Sequence, residues 1–170
     1  MSKLSQILLR VVAALGLALP LVAVAATPAS ASHLVTPFFA DHSRNCAYSY
    51  TSGNLTWDPI TIGGTPQVAV AGVLVDLPTH FCNVLQPGDP FAEFTAYVDG
   101  VEVDDETVYL TNTGSSTARH FKFSLSAAGL PNPIIDQVDV RVCRTFGPML
   151  PAFTCGDTQT YHRPQIGPAG

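Results

Sequence analysis

The sequence predicts an all-β protein, an antiparallel sandwich of the immunoglobulin-like type with a small barrel as the alternative, preceded by a cleaved signal peptide. Three observations lead there. Apolar and polar residues alternate with period two through most of the chain after residue 31, the pattern of half-buried strands. Turn-forming Gly, Pro, Asn and Asp punctuate that pattern every ten residues or so. No stretch beyond residue 31 carries apolar residues at helical spacing.

Residues 1–31 read as the leader. Lys3 and Arg10 are the only charges before Asp41, and an apolar run from Val11 to Ala26 leads into small residues. Ala29 and Ala31 satisfy the small-residue requirement for cleavage before Ser32, and Ala23 and Ala25 for cleavage before Ala26; the first is preferred because Pro28 belongs to the polar region before the cut. Pro20 interrupts the run, and about 20 unbroken apolar residues are needed to span a bilayer, so a membrane anchor is disfavoured. The expected organisation is a leader over 1–31, one domain over 32–163 and a loose tail over 164–170. Export would leave six basic side chains against thirteen acidic. That negative surface argues against nucleic-acid or anionic-membrane partners.

Residues 47–51 and 55–57 read as short strands around a Ser52-Gly53-Asn54 turn. Residues 67–77 (QVAVAGVLVDL) are the most β-rich stretch, with Gly72 marking a bulge or a close approach and Pro78 ending it. The clearest hairpin spans 94–103, because Asp99-Gly100 is the dipeptide a type I′ turn favours. A further strand is expected over 107–111. Residues 119–125 place Phe121, Phe123 and Leu125 inward and His120, Lys122 and Ser124 outward. Residues 137–143 alternate as cleanly, and 158–162 supply a last strand. Trp57, the only tryptophan, is assigned to the core.

The four cysteines, Cys46, Cys82, Cys143 and Cys155, form an even set that reads as two disulfides in an exported chain. Sequence proximity favours Cys46–Cys82 with Cys143–Cys155. Cys143 shares its strand face with Asp139 and Arg141 rather than with the valines, so it is expected outside the core and free to staple the next loop. That loop carries Phe146, Met149, Leu150 and Phe153, stiffened by Pro148 and Pro151, and is a candidate partner-binding device. Folding back to cap the sandwich is its plainer use.

Catalytic and metal signals are weak. No Gly-x-Ser-x-Gly elbow occurs, the five histidines are scattered, and neither cofactor nor metal is expected. The acidic run Asp99, Glu102, Asp104, Asp105 and Glu106 has calcium-ligand chemistry, but suits edge protection better. Asn54-Leu55-Thr56 is a glycosylation sequon that matters only in a glycosylating host. Tyr48, Tyr50 and Tyr97 could form a sugar-binding strip; packing on the inner face of a sandwich is preferred, because aromatic rings favour cores.

The expectation is thus a secreted, extracellular, non-enzymatic binding module for a protein or glycan. A protease inhibitor acting through the 143–155 loop is the alternative. A hydrolase is the second alternative, with His80, His120 and loop carboxylates as first suspects.

Overall fold

The computed structural model describes residues 34–44, 47–58, 66–78, 88–111, 117–128, 134–145 and 152–165. The leader, Cys46, Cys82, His80, Phe146, Met149, Leu150 and residues 166–170 lie outside that set. The described residues form strands and no helix: β1 (Leu34–Arg44), β2 (Ala47–Trp57), β3 (Gln67–Pro78), β4 (Pro90–Val98), β5 (Val101–Tyr109), β6 (Ala118–Ser126), β7 (Gln137–Thr145), β8 (Phe153–Cys155) and β9 (Gln159–His162). One sheet has the order β1-β2-β3-β6. The other runs β5-β4-β7, with β8 and β9 pairing successive parts of β7. Every pairing is antiparallel.

The two sheets face each other as in a β-sandwich, and alternation decides which side chains meet. From the first sheet come Phe38, Leu55, Trp57, Val68, Val70, Leu74 and Leu125; from the second come Phe94, Val138, Val140 and Val142. Phe94 is the hub, since its ring meets Phe38, Phe121 and Phe123 edge-on with centroids 5.2–5.5 Å apart, a geometry that sets the positive ring edge against a negative face. Trp57 is fully buried, and its indole N–H donates to Thr36 Oγ1 at 2.9 Å, so the polar end of the ring is satisfied. The hairpin turn is as read from the sequence, with Asp99 at φ 51° and Gly100 at φ 78°.

The structure departs from the sequence reading at three places, in two of them by correcting an expectation and in one by adding a strand. Ser52-Gly53-Asn54 is not a turn: β2 runs unbroken from Ala47 to Trp57, and Gly53 pairs with Gly72 of β3. A Cβ on Gly53 would stand 2.1 Å from the Ala71 carbonyl oxygen and 2.8 Å from the Phe38 ring; one on Gly72 would stand 2.5 Å from the Ser52 carbonyl oxygen and 2.9 Å from the same ring. The glycine pair therefore lets Phe38 lie directly on the backbone. Second, β1 is a strand that alternation alone did not single out, because Phe38 faces inward while its neighbour Phe39 faces out. Third, residues 101–109 form one strand rather than two segments. A register shift opposite Ala96/Tyr97 absorbs an extra residue there.

Both lateral openings between the sheets are stitched by side chains. On one side the Tyr161 hydroxyl, from β9, donates to the Phe39 carbonyl and accepts from the Phe39 N–H, each at 2.8 Å. On the other, Asp104 Oδ2 accepts from the Ser126 N–H at 2.7 Å, and Arg119 donates to the Tyr109 carbonyl. These bonds satisfy backbone groups on the edge strands β1, β5 and β6 that would otherwise be open to other chains.

A candidate binding surface

At the end of the molecule where β2 begins and β3 and β7 finish, the usual polarity of a sheet is reversed. His42, Ser49 and Asp76 are cross-strand neighbours in one row of β1, β2 and β3, and all three are buried on the inner face. Arg144 reaches into that row from β7, on the same face as Val138, Val140 and Val142. Its guanidinium donates to Asp76 Oδ1 and Ser49 Oγ, and to the Gly88 carbonyl at 2.6 Å, while Ser49 Oγ donates to Asp76 Oδ1 at 3.2 Å. His42 Nε2 lies 2.9 Å from Thr154 Oγ1 of β8. A buried charge pair is tolerable only when its remaining hydrogen-bonding capacity is met, which Ser49 and Gly88 help to do.

A histidine, a serine and an aspartate in one row invite comparison with a hydrolytic triad, but the bonding does not follow one. Ser49 Oγ is fully buried and engaged by Asp76 and Arg144, while Thr154 engages His42 Nε2. Nucleophilic catalysis needs the serine bonded to its base and within reach of substrate. The row as arranged holds the sheets together. His120, a suspect from the sequence, is exposed on the outward face of β6.

Because polar side chains fill the inside here, the same strands carry their rings outside. Tyr48 and Tyr50 flank Ser49 and point away from the core, so the preference for inner-face packing is overturned. Phe39 joins them from β1. The Phe39 and Tyr50 rings are 5.9 Å apart and inclined by 26°, and the Tyr50 and Tyr48 rings 5.9 Å apart and inclined by 35°. Phe39 is 48% exposed, and Leu77, cross-strand to Tyr48, is 46% exposed. Val35, also exposed, extends the apolar surface along β1. Asp41 sits directly opposite Tyr50 and accepts a hydrogen bond from Tyr48. Tyr97 takes no part, because it lies on β4 in the other sheet.

Burial raises the Tyr48 phenol above its ordinary value of 10.0, and the Asp41 charge and hydrogen bond add to the rise. The neutral phenol is thus the form the fold favours. Its contribution to stability is complete below pH 10 and is lost as pH rises through the folded-state value. Alkaline titration followed by tyrosinate absorbance is expected to show Tyr48 ionising late, and Asp41→Asn to bring it earlier; no change in that variant would remove Asp41 as a cause.

The disulfide between Cys143 and Cys155 joins directly opposed residues of β7 and β8. Cys143 is on the face opposite the valines, as expected, yet it is fully buried. Phe91 is its partner in the ladder on the β4 side, and the Phe91 ring is bracketed by Tyr109 at 5.4 Å and Phe153 at 5.7 Å. Phe153 is 54% exposed. Of the four loop residues singled out from the sequence, it is the one among the described residues.

Glu93 lies beside the disulfide, paired with Arg141 and with Oε2 3.7 Å from Cys143 Sγ. Glu93, Cys143 and Cys155 form the one close trio of potential metal ligands among the described residues. Both sulfurs are consumed in the disulfide, and a metal needs thiolates. The acidic residues of β5 form no such trio. Asp104 instead binds the Ser126 and Asp105 N–H groups.

No protein-family model, curated protein or solved structure matches the chain.

Proposed function

We propose that this chain is an exported, extracellular, non-enzymatic binding module, built on an immunoglobulin-like sandwich, whose contact surface is the outward face of β1–β3. The observation that carries the reading is the reversal of polarity at one end: Ser49, Thr51 and Asp76 are buried while Phe39, Tyr48 and Tyr50 form a continuous row outside. Folding alone rewards the opposite arrangement, since burying a ring is favourable and burying a charge pair is not. Large exposed apolar surfaces on soluble domains commonly mark contact sites.

Strand order supports the immunoglobulin-like type. With β1 and β8 set aside, β2-β3-β6 and β5-β4-β7-β9 have the neighbours of strands A-B-E and C′-C-F-G. Two hallmarks of antibody domains are replaced. The inter-sheet disulfide gives way to the local Cys143–Cys155 bond, and the tryptophan sits on β2. Export is supported by the charge and small-residue pattern of 1–31 and by the disulfide.

A second reading, protease inhibition through the 143–155 loop, is favoured by its disulfide closure and by the exposure of Phe153.

The test is a variant with Phe39, Tyr48 and Tyr50 all changed to Ser, compared with Phe94→Ala. Rings kept for binding should cost less than about 1 kcal/mol each on removal, against about 3–5 kcal/mol for the buried Phe94. Retention on extracellular proteins and polysaccharides should be lost in the triple variant alone. A large stability loss in that variant, with retention unchanged, would make the rings structural. Stoichiometric inhibition of a serine protease, indifferent to the three substitutions, would move the function to the loop.

A further inference from the structure

We infer that the Cys143–Cys155 disulfide, on the outward face of one sheet, governs the order of the β1 segment that supports the aromatic row on the outward face of the other. The short strand β8 is the strap between them, and reduction by a dithiol slackens it. That such slackening regulates binding rests on the binding-module reading above; the coupling itself does not.

β8 lies between β7 and β1 and is held on both sides. Toward β7 it has its ladder, the disulfide, the Phe153 ring 5.7 Å from Phe91, and the Gly156 N–H donating to the Val142 carbonyl at 2.9 Å. Toward β1, Thr154 Oγ1 meets His42 Nε2 at 2.9 Å. Gly156 lies so close to β1 that a Cβ there would stand 1.9 Å from the Asp41 carbonyl oxygen. The two residues that touch β1 thus flank Cys155, and the covalent bond fixes both.

From Asp41 the link passes to the rings. Its carboxylate accepts from Tyr48, its backbone stands opposite Tyr50, and Phe39, two residues earlier, stacks on Tyr50. β1 is an edge strand, laddered to β2 on one side. On the other side Tyr161 holds Phe39, and β8 holds Asp41 and His42. Edge segments open locally at lower cost than central ones, so this second support decides how firmly Asp41–Ser43 sit.

Cys155 is partly exposed and Cys143 fully buried, so an incoming thiolate attacks Cys155 Sγ. The sulfur–sulfur bond breaks, its electron pair leaves on Cys143 Sγ, and that sulfur takes up a proton. The reductant's second thiolate then attacks its own sulfur in the mixed disulfide, expelling Cys155 as a thiolate that is protonated in turn. Two electrons and two protons are transferred, and the dithiol ends as a cyclic disulfide. β8 keeps its short ladder and its ring contact, without the bond that fixed Thr154 and Gly156 against β1.

The experiment compares the oxidised protein with the double variant Cys143→Ser, Cys155→Ser by amide shifts and ¹⁵N order parameters, which report motion within the folded state rather than global stability. Order parameters at Asp41–Ser43 are expected to fall from about 0.85 toward about 0.6, with β3 and β6 staying near 0.85. Dithiothreitol should give the parent chain the same shifts at Asp41 and His42 as the double variant, once alkylation shows both thiols free. Thr154→Val, with the disulfide intact, cuts the strap at one contact and should lower the Asp41–Ser43 values by less; if the double variant does not fold, this variant decides. Order at Asp41–Ser43 that is unchanged, or that falls equally in every strand, would overturn the inference. No ligand enters these readouts, so that result would leave the binding-module reading standing.

Discussion

Replacing Asp76 by alanine is expected to destabilise the protein by about 3–5 kcal/mol. The Arg144 guanidinium would remain in the interior with its carboxylate gone, holding only the Ser49 hydroxyl and the Gly88 carbonyl. Both side chains of the pair are 8% exposed, so water cannot take the place of the missing anion without opening the end of the molecule. A loss of that size is a large share of the roughly 5–15 kcal/mol that holds a domain folded. The double change Asp76→Leu with Arg144→Met should recover most of it, because an apolar pair of similar volume carries no desolvation cost. Urea unfolding of the single and double variants measures both effects. A single-variant loss below about 1 kcal/mol would mean that Arg144 reaches solvent.

Gly53→Ala is the second large effect, expected at about 3 kcal/mol, the upper end of what overpacking usually costs. The added methyl would overlap backbone, the Ala71 carbonyl and Gly72 Cα at 2.6 Å, before it reached the Phe38 ring. A flexible side chain could move aside, but a central ladder between β2 and β3 cannot without losing hydrogen bonds. Shortening Phe38 to leucine in the same chain should relieve only the ring contact, leaving most of the cost. Full recovery in that double variant would show that the ring, not the backbone, sets the limit. Thermal unfolding with two probes decides between them.

Most of the second sheet was legible in the sequence. Asp99-Gly100 fixed its hairpin, Val138, Val140 and Val142 gave β7 a clean alternation, and Phe121, Phe123 and Leu125 did the same for β6 in the first sheet. The end bearing the candidate surface was obscure for one physical reason: its interior is polar. A reader of periodicity takes tyrosines as core and serines as surface, which at Tyr48, Ser49 and Tyr50 inverts the strand. The clue lay in β7, where Arg144 continues the parity of the valines and so must enter the interior. Once one sheet sends an arginine inward, the facing sheet needs polar partners, and the adjacent rings are forced out. The ring row itself depends on β1 lying beside β2 in one register, with Asp41 opposite Tyr50. Pairing of that kind is not encoded in either strand alone. Ser-Gly-Asn misled for a similar reason, since glycine marks a turn and a close approach with the same letter.

The phenol of Tyr161 that closes the edge of β1 also sets an order of events. β1 precedes the other eight described strands in the chain, and β9, which carries Tyr161, follows them all. While the polypeptide emerges from its N-terminal side, the Phe39 backbone therefore waits for its seal until the last strand has arrived. An incomplete chain has a ready template for intermolecular pairing, whereas a finished one does not. Removing Tyr161 together with the residues that follow it would recreate the unsealed Phe39 backbone in a folded molecule and turn the sandwich toward self-association.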